Sequence, residues 1–470
     1  MTTPLWTAEE AAAATGGKAI GDWQVHGMSI DTRTIQSGDM FIALKDVRDG
    51  HDFVPMAHEK GAGACLVSRH MDGIPALEVD DTLVALEDLG RAARARNGGF
   101  SCAITGSVGK TSVKEMLAQI FRAHGAAHWN VKSFNNHWGV PLTLARMPRE
   151  TERAVFEIGM NTPGEIEPRS LMVKPHAALI TKIAAAHLEG MGSEEGVALE
   201  KSGIFAGLQP GGTAILPADD AFFDFLSDKA SAYCPTAKIR TFGTANADAV
   251  YRSSLSDGVM STYTVSLDGE DVQVSINAVG EHWGLNIAAA LLMSVSAGIE
   301  LQAAADALSG YAPPEGRGNA EWLYLADGGR ALMVDDAYNA NPESMRAALA
   351  GFKQRVAKRR IIALGEMKEL GPDADSLHEE LATPLLACSP DHVFLVGEGM
   401  KPLARALDGK VRVDWAETSS AIQKKVNNLL ISEDAVLIKG SNASGMRALA
   451  DGLRKESREW SDEKTGVELG

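Results

Sequence analysis

The segment Ala103-Ile-Thr-Gly-Ser-Val-Gly-Lys-Thr-Ser112 constrains the fold of this chain more than any other. An apolar run, Ser101–Thr105, leads into it, and a helical pattern over Val113–Arg122 leads away. Strand, glycine turn and helix in that order are the local form of a phosphate-binding loop. Gly106 and Gly109 let backbone amides approach phosphate oxygens, and the helix N-terminus adds partial positive charge. Gly106, Ser107, Val108, Gly109, Lys110, Thr111 and Ser112 are therefore the candidate nucleotide loop. Lys110 can reach the β- and γ-phosphates, and the Thr111 hydroxyl can ligate magnesium. Ile104 stands where the usual spacing has glycine. The competing reading is a plain glycine turn with an exposed lysine. The motif alone implies a nucleoside triphosphate but no particular reaction.

From Phe100 onward, apolar strand patterns alternate with helical ones, as in βαβ units around a parallel sheet. Strands are expected at Ser101–Thr105, Ala154–Ile158, Ala177–Thr181 and Thr213–Leu216. Tyr263–Leu267 and Val272–Ile276 alternate strictly and read as a hairpin around Asp268–Asp271, followed by a helix over Leu285–Ala297. The Pro/Gly stretch Ala312–Gly318 reads as a hinge. Beyond it strands are expected at Ala331–Val334, Arg360–Leu364, His392–Val396 and Ala435–Ile438, with a frayed tail after Lys455. Before Phe100, Thr7-Ala-Glu-Glu10 fits a capping box opening a helix that ends near Gly16. Phe53–Gly61 reads as a helix, Ala64–Val67 as a strand, and the Ala/Arg/Gly-rich Arg91–Gly99 as a boundary. The chain of 470 residues suits about three domains. The expectation is an α/β fold: a small N-terminal α/β domain (1–98), a central parallel-sheet domain carrying the phosphate loop (99–312) and a C-terminal Rossmann-like α/β domain (313–470).

A formal charge of -17 argues against nucleic-acid or anionic-membrane partners, which need a basic face. Cys65, Cys102, Cys234 and Cys388 lack metal-ligand or redox spacing and read as free thiols of a reducing cytoplasm. No signal peptide or membrane-spanning run is evident, so a cytoplasmic location is expected.

Three further residues are metal candidates. Glu157 ends a strand in Phe156-Glu-Ile-Gly-Met160, where a carboxylate suits magnesium as well as it suits solvent. His187 follows the next strand; alone it reads as structural, because magnesium prefers oxygen. Lys201 shares a helix face with Val197, Ile204, Phe205 and Leu208. An inward lysine usually snorkels. Buried, its amine loses basicity and can react with carbon dioxide to give an anionic carbamate.

Together these segments resemble the Mur ligase family over nearly the whole chain. The Thr105-Gly-x-x-Gly-Lys-Thr111 loop is that family's form of the phosphate motif and accounts for Ile104. Asn135-Asn136 with Gly139-Val-Pro141, Glu157–Met160, Ala186–Glu189, Glu200-Lys201, Gly280 with His282 and Asn286, Gly316-Arg317 and Lys439-Gly-Ser441 are similar too. Asp335–Pro342, Gly365–Gly371 and His187–Ser193 resemble the branch that adds D-alanyl-D-alanine to UDP-N-acetylmuramoyl-tripeptide.

The resemblance implies ATP as co-substrate and two magnesium ions. Lys110 would be a catalytic phosphate contact; Thr111, Glu157, His187 and a carbamylated Lys201 would be metal ligands. Asn286 would approach adenine, Arg317 the phosphates and Asp336 the ribose. Asp31, Thr32, Arg33, Asp49, Gly50 and His51 would recognise the UDP-linked substrate, and Tyr338, Asn339 and Asn341 the dipeptide. A monomer is expected. Two departures stand out. Trp283 occupies a position where the family often has asparagine, and His137-Trp138 replaces an acidic–apolar pair. A sibling ligase adding another amino acid, or a folylpolyglutamate-type synthetase, is the alternative within the class. A nucleotide-switched binding protein would carry a guanine-reading Asn-Lys-x-Asp segment, and none is found. A module with a vestigial loop would leave Glu157 and Lys201 unexplained.

Overall fold

The computed structural model describes residues 3–131 and 134–465, with side chains described through residue 458. Three main sheets follow one another along the chain. The first has five strands in the order Lys18–Ile20, Ala76–Glu78, Ala64–Val67, Asp39–Ile42, Gly27–Ser29; all pairs are parallel except the one made by Lys18–Ile20. The Thr7 capping box forms and opens the helix Ala8–Thr15, which Gly16 ends at φ 67°. Arg91–Arg96 proves to be the last turns of the helix Thr82–Arg96, so the chain leaves that helix only at Asn97. Alanine and arginine are good helix formers, and composition there was a weaker guide than propensity.

The central sheet has nine strands. Seven are mutually parallel, running from Ala127–Trp129 through Arg153–Glu157, Phe100–Thr105, Ala177–Ile180, Thr213–Pro217 and Lys238–Gly243 to Ala249–Ser256. The last two, Ser261–Leu267 and Glu270–Ile276, add antiparallel pairs. Their turn is two residues, Asp268 and Gly269, both at positive φ, so the strands run closer to the tip than expected. Both faces of this sheet are covered, which is why its strands read as continuous apolar runs. Cys102, Ile104, Val155 and Leu179 face the helices Lys110–Ala123 and Glu281–Ser296. Ala103, Phe156, Ala178 and Ile180 face the opposite layer with Val140, Val197 and Phe205.

The third sheet has six strands: Asn319–Tyr324, Arg330–Asp336, Ala435–Lys439, Arg360–Gly365, His392–Val396 and Val413–Ala416. Only the first pair is antiparallel. The helix Met446–Thr465 continues past Lys455, where a frayed tail was expected; residues 466–470 lie outside the described residues. Arg454 explains the early part, because it bonds Asp335 and Glu321 and so ties that helix to the sheet.

The three sheets are joined by hydrogen bonds as well as by chain. Trp6 Nε1 donates to Ala145 O at 2.9 Å, and Arg146 Nε to Met28 O at 2.7 Å. Across the other junction, Arg355 Nη1 donates to Gly258 O at 2.9 Å and Lys182 pairs with Glu343 at 2.5 Å. All four cysteines are free and buried. No helix among the described residues is long and apolar enough to cross a membrane.

Candidate active site

Phe100–Thr105 lies between Arg153–Glu157 and Ala177–Ile180, with parallel neighbours on both sides. Loops leaving the C-terminal ends of such strands form a crevice where the strand order switches, and ligands bind there. A cleft of about 410 Å³ occupies that crevice and extends beneath the third sheet.

Its floor is the phosphate loop. Gly106 at φ 146° and Gly109 at φ 82° hold conformations that side chains rarely adopt. The loop presses against Thr181, whose Oγ1 donates to Val108 O at 2.5 Å. Lys110 folds back and donates to Gly106 O at 2.5 Å. Burial lowers its pKa from the ordinary lysine range, against the pull of Glu157. The nucleotide-loop residues Ser107, Val108, Gly109, Lys110, Thr111 and Ser112 all line the cleft.

Glu157 lies beside the loop, 1% exposed. Its Oε2 accepts from Thr111 Oγ1 at 2.9 Å and its Oε1 from Asn135 Nδ2 at 2.7 Å. Asn130 Oδ1 accepts the Glu157 backbone N–H at 2.7 Å, and the fully buried Lys114 donates to Asn130 O at 3.0 Å. A strand-end glutamate is thus held from three directions; it is not a solvated one.

Lys201 points inward, as its helix face predicted, at 1% exposure. The nearest hydrogen-bond partner of its amine is the Met160 sulfur at 3.8 Å. Burial, reinforced by Lys110, pushes its pKa well below the ordinary lysine value. His187 occupies the left-handed region at φ 56° and pairs through Nδ1 with Glu369 of the third-sheet region at 2.5 Å. Burial and Lys110 lower its pKa. Lys110 acts on both Lys201 and His187, and all three line one cleft with Glu157. The constellation assembled from scattered sequence positions therefore converges.

The roof comes from the third sheet. Adjacent aspartates on Arg330–Asp336 point to opposite faces, as strand geometry requires. Asp335, 1% exposed, bonds Arg454 and caps the backbone of Gly316 and Ala337. Asp336 turns to the cleft and bonds Lys439 Nζ at 2.7 Å. Burial raises its pKa despite that lysine. Arg317 stacks on the Tyr338 ring at 3.8 Å. Asn339 passes its carbonyl to Lys439 at 3.0 Å. Asn341 caps the helix Pro342–Lys353 through Ser344 N at 2.8 Å, and its Nδ2 reaches Ser107 O of the phosphate loop at 3.5 Å. Asn286 approaches the loop itself: a Cβ on Gly109 would stand 2.7 Å from its Oδ1. Trp283 is only 4% exposed and packs against Tyr311, so most of the indole belongs to the core.

The six N-terminal candidates do not join this cleft. Asp31 chelates its own neighbour Arg33 at 2.6–3.1 Å, and the Thr32 carbonyl accepts from Lys60 at 2.8 Å. Asp49 caps the turn that buries His51. Since His51 Nε2 accepts the Ser68 N–H at 2.9 Å, its Nδ1 carries the proton given to Asp49 at 2.6 Å. Gly50 is required there, because a Cβ would stand 2.6 Å from Leu44 O.

Asn130, Thr181, Lys182, Glu343, Glu369 and Lys439 were absent from the expected site residues. Lys439 left a trace in the sequence, since it ends an apolar strand in Lys439-Gly-Ser441. Glu369 lies within the Gly365–Gly371 segment already noted for its resemblance, but its pairing with His187 left no trace, because that partner is 182 residues away.

Residues 104–294 match the Mur ligase middle domain, and residues 322–442 the Mur ligase glutamate ligase domain. The UDP-N-acetylmuramoyl-tripeptide–D-alanyl-D-alanine ligase of Escherichia coli is 35% identical over 92% of this chain and 95% of its own length. Its Bacillus subtilis counterpart is 34% identical over 80% of both. A crystal structure of MurF from Acinetobacter baumannii is 30% identical, covers 96% of this chain and 99% of that one, and superposes with a TM-score of 0.84. MurF ligase from Thermotoga maritima in complex with ADP shares the fold, with a TM-score of 0.78 at 24% identity over 92% of this chain and 98% of that one. With both sheets of the cleft matched and likeness running along almost the entire length, this chain belongs to the Mur ligase family.

Proposed function

We infer that this chain is an ATP-dependent ligase that joins D-alanyl-D-alanine to the terminal carboxylate of UDP-N-acetylmuramoyl-tripeptide. The observation that carries this reading is the single cleft in which Lys110, Thr111, Glu157, His187 and Lys201 face Arg317 and Asp336. The E. coli and B. subtilis relatives bear the name of that reaction, over most of their length.

The chemistry follows from the charges. A carboxylate is a poor electrophile and must be activated. Its attack on the ATP γ-phosphorus forms an acyl phosphate and releases ADP. The dipeptide amine then attacks the acyl carbon, and inorganic phosphate leaves as the amide forms. Catalysis of such steps is mainly positioning and charge neutralisation. Lys110, released from Gly106 O, would grip the phosphates; Arg317 would add a second cation. Asp336, held by Lys439, would take the ribose hydroxyls, and Asn286 beside Gly109 would follow the nucleotide toward its base.

The residues present fit magnesium at one place. The Thr111 hydroxyl and Glu157 carboxylate are oxygen donors 2.9 Å apart, the ligand type a hard cation prefers. Bound there, magnesium would neutralise charge on the triphosphate as the carboxylate approaches. No group of three or more His, Cys, Asp or Glu side chains converges as a metal site among the described residues. A second ion at Glu157, His187 and Lys201 therefore needs Lys201 as its carbamate, whose oxygens replace a nitrogen unsuited to magnesium. A buried amine of lowered basicity is the right precursor.

We assign residues 1–98 to the UDP-linked substrate, through Asp31–Arg33 and Asp49–His51, 99–312 to ATP, and 313–470 to closure over ATP. Tyr338, Asn339 and Asn341 are the proposed dipeptide side; Asn341 would also report closure through Ser107 O. The test is phosphate release with ATP and UDP-linked tripeptide, varying the amine among D-alanyl-D-alanine, D-glutamate and diaminopimelate. Release with D-alanyl-D-alanine alone is expected; release with another amine only would refute the branch.

A further inference from the structure

Lys110 is not the sole lysine against the phosphate loop. Lys182 lies two residues beyond the strand Ala177–Ile180, and its backbone forms one wall of the loop. Its carbonyl accepts the Ser107 N–H at 2.8 Å, and a Cβ on Gly106 would stand 3.1 Å from its nitrogen. The side chain lines the same cleft as Lys110, Thr111 and Arg317.

Its ammonium pairs with Glu343 across the domain junction at 2.5 Å. Glu343 is the second residue of the helix Pro342–Lys353 and also lines the cleft. A strut between domains is the plain reading of this pair, and two observations weigh against it. The Lys182 side chain is 45% exposed and that of Glu343 32%, and ion pairs so open to water contribute little to stability. The junction also has better fasteners, since the buried Arg355 donates to Gly258 O at 2.9 Å. A weak pair beside a phosphate loop is instead easily exchanged. A triphosphate carries more negative charge than one carboxylate and offers several oxygens to an ammonium. Lys110 makes the same kind of exchange when it leaves Gly106 O. Glu343 tolerates the loss of its cation, because a carboxylate in the first turn of a helix is favoured by the helix dipole.

We propose that Lys182 is a second phosphate-binding lysine, which gives up Glu343 to the phosphates of the bound nucleotide. The proposal rests on the ATP reading above. It makes Glu343 a competitor of the nucleotide, and nucleotide binding thereby releases one tie between the phosphate loop and the roof helix.

The test is a double-mutant cycle on the full chain, with the affinity for the magnesium complex of a non-hydrolysable ATP analogue measured by calorimetry. Lys182→Met is expected to weaken binding about 10-fold, the lower range for a hydrogen bond to a charged group. Glu343→Gln is expected to tighten it about 2–5-fold, the worth of a partly exposed ion pair. In the Lys182→Met background, Glu343→Gln should change nothing further. Wild-type affinity in Lys182→Met would overturn the proposal. So would a Glu343→Gln variant that binds no tighter than wild type, which is the result expected of a strut. Tightening by Glu343→Gln that persists without Lys182 would overturn it too, since plain repulsion would then account for the effect. Failure of the wild-type protein to bind the analogue would instead refute the ATP reading, and the proposal with it.

Discussion

Replacing Lys201 with methionine should stabilise the protein while destroying its activity. Lys201 is 1% exposed, and among the described residues only the Met160 sulfur at 3.8 Å stands within hydrogen-bonding range of its amine. A polar group buried without a good partner costs about 1–3 kcal/mol on protein mutational scales. Methionine matches lysine in length and carries no group that needs solvation. Lys201→Met should therefore gain about 2 kcal/mol, or roughly 4–8 °C in Tm for a unit of the central domain's size. The pH dependence has a definite sign. Burial and Lys110 set the folded pKa well below the ordinary lysine value of 10.5. Between the two values the unfolded chain binds a proton that the native protein does not, so wild-type stability rises with pH through that window. The slope is at most about 1.4 kcal/mol per pH unit. Methionine does not titrate, so its advantage should be largest at the low end of the window and shrink as pH approaches 10.5. Urea unfolding of both proteins at several pH values in CO2-free buffer measures this. A variant less stable than wild type throughout, or an advantage that grows with pH, would refute the reasoning.

Lys201→Ala should be nearly inactive in phosphate release, with partial rescue by short carboxylic acids that supply the missing oxygens; full activity without additives would exclude the carbamate. Lys110→Ala should abolish phosphate release, and near-normal turnover would contradict the phosphate-loop role. Gly106→Ala should prevent nucleotide binding, measured by calorimetry, because φ is 146° and the new Cβ would collide with Thr181 Oγ1. Arg454→Met should cost about 3–5 kcal/mol in chemical unfolding, because it leaves the buried Asp335 carboxylate without its cation.

The local chemistry was legible before any coordinates. Strand periodicity located Phe100–Thr105, Ala177–Ile180 and His392–Val396 to within about a residue, because side chains buried on both faces of a parallel sheet leave an uninterrupted apolar run. The inward aim of Lys201 followed from helical spacing with Val197, Ile204 and Phe205. The edge strands Asn319–Tyr324 and Val413–Ala416, and the inner but partly exposed Lys238–Gly243, escaped notice, since partial exposure dilutes their pattern with polar residues.

What the tertiary structure alone decided is which distant residues share a cleft. Glu157 became a held carboxylate only through Asn130, Asn135 and Thr111, and His187 met Glu369 from the opposite domain. Propensity and periodicity act over a few residues, so they are written locally in the chain. Contacts between strand ends depend on sheet order and domain docking, which no local window contains.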